Sequence, residues 1–184
     1  MLSLVGEKRT IPLYWQLLDK RGCSNIDEQK ALITPVLELL SNYEVIVLGD
    51  SLRDSFPSRE FGSVKLASWL CRKQVKFILR VKQERYIQEE SSDYIRLSDM
   101  GLVPGTSFYW SKIKVTQQKG FRNFDIAGYW RRKYRGCQED EAWYLLTNVG
   151  NLGQSIDTFK GRSGIEAMFK DCKRGAYNER EKPS

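Results

Sequence analysis

Histidine is absent from the 184 residues. Its absence excludes Ser-His-Asp and Cys-His nucleophile sites, His-ligated metals and imidazole acid–base work. Any catalysis falls to carboxylates, lysine, tyrosine, cysteine or a metal ion. Cysteine is sparse and scattered. Cys23, Cys71, Cys137 and Cys172 form no C-x-x-C pair, which argues against a zinc site and fits reduced thiols in a cytosolic protein. Long apolar runs are missing too. MLSLVGEKRT lacks the sustained apolar stretch of a signal peptide, and nothing in the chain approaches a membrane span. The expected location is therefore the cytoplasm, with no membrane partner. There is no internal repeat and no low-complexity segment.

What is present suits one well-packed globular domain: 41% of residues are hydrophobic and 12% aromatic. Lysine and arginine number 30 against 23 acids, giving a formal charge of +7. A surplus of this size is compatible with a nucleic-acid partner.

Residues 1–20 read as extended, with a turn at Gly6-Glu7-Lys8 making a hairpin. Asn25–Asp27 offers caps for a helix over about Glu28–Leu40. EVIVLGD is a short apolar run that predicts a buried strand presenting Asp50 at its end. REFGSVKLASWLCRKQ predicts the next helix and VKFILRVK the next strand, so residues 26–82 read as α-β-α-β. From Gln83 to Asn148 the segments turn aromatic and β-branched between turn-rich pieces, which predicts a mainly antiparallel β-insertion. Helix returns over about Gly153–Lys173, and 178–184 is a polar tail.

The most informative stretch is FKGRSGIEAMFKDCK. At about 100° per residue, Phe159, Arg162, Glu166 and Lys173 share an arc of roughly 60° on a continuous helix. Ile165, Phe169 and Cys172 form an apolar stripe beside it. One helix face thus carries two cations around one carboxylate. Asp50, at a strand end, and Glu166 could jointly hold Mg²⁺, which takes oxygen ligands and leaves room for phosphate. The plainer reading is that Asp50 caps the following helix and Glu166 pairs with Arg162 or Lys170 on a solvated face. Trp130-Arg131-Arg132-Lys133-Tyr134-Arg135 sets cations among aromatics, as surfaces facing a DNA backbone do; a charge-protected β-edge is the alternative.

The spacing F-x₂-R-x₃-E-x₆-K resembles the Y-x₂-R-x₃-E-x₆-K signature of DDE transposases from bacterial insertion sequences, the group called insertion-sequence family four. RTIPLYWQLLDKRGCS, VIVLGD, REFGSVKLASWL and WYLLTN follow in the same order as in that family, so the resemblance spans about residues 3–177. It implies an α/β fold: an RNase H-like mixed sheet with flanking helices, plus an antiparallel β-rich insertion. The parts are a partial core over 1–82, the insertion over 83–148 and a returning catalytic helix over 149–177. It implies Mg²⁺-dependent cleavage and strand transfer at insertion-sequence ends, with Mn²⁺ able to replace Mg²⁺. Asp50 and Glu166 match the second and third metal-binding acids. Arg162 and Lys173 match residues that grip DNA, with Phe159 standing where the family has tyrosine. Trp143 matches a tryptophan that stacks on a flipped base in some relatives; packing within the insertion is its alternative role. Arg131, Arg132 and Lys133 are expected on the DNA side. The implied partners are DNA, both transposon ends and target, and a second protomer. The implied location is a bacterial cytoplasm, at the nucleoid when bound to DNA.

Two departures bear on activity. The family's first catalytic Asp lies on a strand upstream of the segment where this chain starts, and Asp19 and Asp27 are poor substitutes. The expectation is an N-terminally truncated core lacking its first strand, inactive in cleavage as it stands. The second is SLRDSFPS at 51–58, an insertion between Gly49-Asp50 and Arg59, with Asp54 a less suitable ligand than Asp50. A non-catalytic DNA-binding remnant, or a regulator of an intact transposase, is the alternative function.

Overall fold

A computed structural model describes residues 2–6, 10–15, 24–50, 64–89, 93–116, 123–132 and 142–163. The first helix, α1 (Ile26–Leu39), starts where the sequence supplies a cap. The Asn25 side chain accepts hydrogen bonds from the Asp27 and Glu28 amides at 3.0 and 2.9 Å, and the Glu28 carboxylate accepts from the Asn25 amide at 2.7 Å. That reciprocal box satisfies amides that the first turn leaves orphaned, and the acids Asp27 and Glu28 suit the positive end of the helix. Leu32, Ile33 and Val36 turn inward.

Two strands precede α1. β1 (Leu2–Val5) and β2 (Thr10–Tyr14) pair antiparallel as a separate two-stranded sheet. This is the expected hairpin; its turn, 7–9, lies outside the described residues. After α1 come β3 (Ile46–Gly49), α2 (Val64–Arg72) and β4 (Lys76–Val81), with β3 and β4 parallel. This is the predicted α-β-α-β order.

The remaining strands are β5 (Tyr86–Gln88), β6 (Ile95–Arg96), β7 (Ser107–Val115), β8 (Phe124–Tyr129) and β9 (Trp143–Thr147). Their pairings are antiparallel, as expected of the insertion. They do not form a sheet of their own. β9 pairs with β4, so one seven-stranded mixed sheet runs β3-β4-β9-β8-β7-β5-β6 through the expected boundary at residue 82. At the start of that junction, the Asn148 amide side chain accepts from the Phe77 amide at 2.8 Å and donates to the Val75 carbonyl at 3.1 Å.

The third helix, α3 (Leu152–Lys160), is capped by Asn151, whose side chain accepts from the Gln154 amide at 2.7 Å. The expected helix over about Gly153–Lys173 is described as far as Ser163: α-helix reaches Lys160 and then tightens into a 3-10 turn over Gly161–Ser163. Glycine is a poor helix former, and a Cβ at Gly161 would lie 3.6 Å from Val5, so the hairpin packs close against this turn. The arc drawn from Phe159 through Arg162 crosses this change of pitch, and its continuation to Glu166 and Lys173 lies outside the described residues. Residues 164–184, with Glu166, Lys173 and the stripe of Ile165, Phe169 and Cys172, lie outside the described residues.

Strand alternation sorts the core onto two faces. Phe77, Leu79, Val81, Ile126, Tyr144 and Leu146 pack with Ile33 of α1 and Leu66, Ala67 and Leu70 of α2. Ile78, Ala127 and Leu145 face the other way, against Phe159 of α3. The helices thus cover both faces of a mixed sheet. Among the described residues no helix is long and apolar enough to cross a membrane.

Candidate functional site

Ile46 and Leu48 of β3 face α3. By the two-residue period, Asp50, one step past the end of the strand, points to the same side. The parallel register sets Gly49 beside Leu79, so Asp50 comes level with Arg80 of β4. The two side chains meet: Arg80 Nη1 is 3.7 Å from Asp50 Oδ1. α3 crosses this face from its Asn151 cap and delivers its last turn to the same end of the sheet. There Arg162 Nη1 comes 2.6 Å from Asp50 Oδ2. All three side chains are largely covered, Asp50 at 18%, Arg162 at 21% and Arg80 at 12% of full exposure. A paired acid in such surroundings is costly to leave unpaired.

Arg162 is also supported from below. Its guanidinium carbon stands 4.8 Å from the centre of the Phe159 ring. Phe159 in turn takes Trp143, the first residue of β9, edge-on at 5.3 Å and 72°. Trp143 meets its cross-strand partner Tyr129 at 5.7 Å, and Lys160 Nζ lies 4.9 Å over the Tyr129 ring. One continuous run, Asp50–Arg162–Phe159–Trp143–Tyr129–Lys160, thus crosses the end of the sheet. Cation–π pairs of this kind hold a guanidinium in a fixed plane while keeping its charge.

Four residues singled out in the sequence therefore come together: Asp50, Arg162, Phe159 and Trp143. Their roles differ. Phe159 is fully buried, so it is the platform under Arg162 and not itself a surface for DNA. Trp143 is half-buried. Arg131 and Arg132 follow β8 at this same end and are exposed. β8 lies between β9 and β7, so these arginines follow an interior strand and do not protect a β-edge. The Arg132 stem rests over Gly105, whose φ of +92° is a backbone conformation that glycine adopts without strain. Lys133, Glu166, Lys173 and the 51–58 segment with Asp54 lie outside the described residues.

Three contributors escaped the sequence reading: Arg80, Tyr129 and Lys160. Arg80 had a signal. It is a charge set inside the apolar run between Lys76 and Lys82, on the parity of Ile78 and opposite that of Phe77, Leu79 and Val81. Tyr129 and Lys160 had none, because only the register and the end point of α3 bring them to Trp143.

A second acid on the α3 side of the sheet, Asp125, is otherwise engaged. It accepts from the Tyr109 hydroxyl at 2.8 Å and from the Lys112 amide at 3.1 Å, three strands away from β3. Burial, reinforced by that carboxylate, pushes the Tyr109 phenol well above its ordinary range.

Among the described residues, no group of three or more His, Cys, Asp and Glu side chains comes together as a metal site would require. Asp50 supplies one hard oxygen donor, and guanidiniums stand where a cation would otherwise neutralise it. The described donor set, one carboxylate held by two arginines, does not by itself make a Mg²⁺ site, which takes several oxygen ligands. Its chemistry is that of a held arginine beside aromatic rings, suited to an anion with a planar base attached.

No family model matches the chain, and no curated protein matches it significantly. The likeness to insertion-sequence transposases accordingly rests on the residues quoted for it.

Proposed function

We propose that the β3 end of the sheet is a DNA-binding site belonging to the catalytic-core portion of an insertion-sequence transposase, and that the fold is RNase H-like. The observation that carries this reading is the convergence of Arg162, Phe159 and Trp143 on the strand-end acid Asp50, with Arg162 at 2.6 Å. In the sequence these residues stand far apart, and the likeness predicts that they share one site. A parallel β-α-β unit with its ligand site at the carboxyl end of a strand supports the reading as well.

In this proposal Arg162, Lys160, Arg131 and Arg132 lower the cost of bringing a polyanion to the sheet end by displacing its counterions. Phe159 fixes Arg162, and Trp143 with Tyr129 offers ring faces to a base. In the catalytic form that the likeness implies, Glu166 and Asp50 would hold Mg²⁺, which would supply charge stabilisation at a phosphate. The partners are DNA and a second protomer.

One observation favours the second reading, a DNA-binding chain that does not cleave. Asp50 is the single carboxylate among the described residues at the site, and it is already held by arginines.

Binding and cleavage separate the two. Fluorescence anisotropy with labelled duplex DNA should show affinity falling steeply with salt. Arg162→Ala or Arg132→Ala should weaken it and reduce the logarithmic salt slope by about 0.9. Binding insensitive to salt and to these changes rejects the site. Incubating the duplex with Mg²⁺ or Mn²⁺ then tests cleavage. Cuts that Glu166→Ala abolishes reject the non-catalytic reading, and binding without cuts supports it.

A further inference from the structure

We infer that the Asp50–Arg162 pair is a brake on phosphate binding, an inference that rests on the DNA-binding reading of the same site. Arg162 is the described cation most tightly held at the sheet end, and its guanidinium is committed: Nη1 lies 2.6 Å from Asp50 Oδ2. A phosphate reaching for Arg162 must approach the Asp50 carboxylate and compete with it for the same donors. Both partners are mostly covered, so water screens that repulsion poorly. The guanidinium does not depend on the acid alone for its position. The Phe159 ring holds it from below at 4.8 Å, and Phe159 is locked by burial and by Trp143 at 5.3 Å. Neutralising Asp50 therefore leaves Arg162 in place with its charge released toward the ligand. In the resting protein the pair keeps this guanidinium satisfied, and a phosphate gains its Nη1 only by displacing the acid.

The experiment is a double-mutant cycle on DNA affinity in the full chain. The expected result is that Asp50→Asn binds duplex DNA several-fold more tightly than the parent, with the salt slope steeper by about 0.9, one additional phosphate contact. In an Arg162→Ala background the same Asp50→Asn change should give little or no gain. A gain of equal size in both backgrounds overturns the brake, because it would reflect only the removal of a distant negative charge. An unchanged affinity in Asp50→Asn overturns it as well, while leaving the DNA-binding reading intact. Absence of DNA binding by the parent and every variant overturns both. Asp50→Ser is the second neutral variant, with the thermal melt followed by circular dichroism as the check of folding. If neither variant folds, the pair is a structural tether and the brake is rejected.

Discussion

Gly128 sits buried in β8 directly across from Phe108 of β7. A Cβ at that glycine would fall 2.0 Å from the Phe108 ring, which lies flat over the bare backbone. The ring has little room to retreat, with Trp110 at 5.6 Å and Tyr144 at 6.4 Å from its centre. Gly128→Ala should therefore destabilise the protein by about 1–3 kcal/mol, the range for overpacking a filled site. Urea unfolding should recover most of that loss when Phe108→Leu is added; failure to recover it would place the cost in the backbone. Legibility at this scale was uneven. Asp50 was readable because an apolar run ending in Gly-Asp is a local pattern. Arg162 and Phe159 were readable only through the signature spacing. Burial of Phe159 was not, since its packing partners Ile78, Ala127 and Leu145 come from three different strands. Tyr129 and Lys160 depend on a cross-strand register that no local window contains.

Asn148 shows how an element junction is held. Its side chain stands in for a strand backbone, bonding to Phe77 and Val75 where β9 has already ended beside β4. Thr147 adds a hydroxyl donated to the Phe77 carbonyl at 3.0 Å. Asn148→Ala leaves two half-buried backbone groups without those partners, and should cost about 1–3 kcal/mol. The check is a denaturation midpoint, together with faster amide exchange at Phe77; protection unchanged at that amide would mean water replaces the side chain. The elements themselves were largely legible where the signals were local. The cap residues in Asn25–Asp27 announced α1, and short apolar runs announced β3 and β4. The change of pitch after Lys160 was not legible, because the apolar period continues past it, whereas the backbone at Gly161 meets Val5 of a hairpin far away in sequence. The insertion was recognised as antiparallel, but its merger with β4 is a tertiary pairing. Nothing in residues 83–148 alone specifies it.

On the scale of the whole molecule, a basic and an apolar surface lie near each other, since Val5 of the hairpin packs at Gly161, between Lys160 and Arg162. The end of the sheet carrying Arg131, Arg132, Lys160 and Arg162 is basic, which suits a polyanion. The β1–β2 hairpin presents the opposite character. Leu4 and Ile11 are cross-strand neighbours exposed at 49% and 58%, and Trp15 beyond them is exposed at 63%. Exposed apolar side chains of this kind favour self-association over a dispersed monomer. A single charge on the hairpin should act mainly on that tendency. Ile11→Lys replaces an exposed residue, so its effect on folding stability should stay within about 0.5 kcal/mol. Sedimentation velocity over a concentration series should then show the variant less associated than the parent, with an unchanged melt. Equal association in both proteins would show that the hairpin is not the contact. Disruption by salt would instead assign association to the basic end, because apolar contacts strengthen or hold as ionic ones are screened.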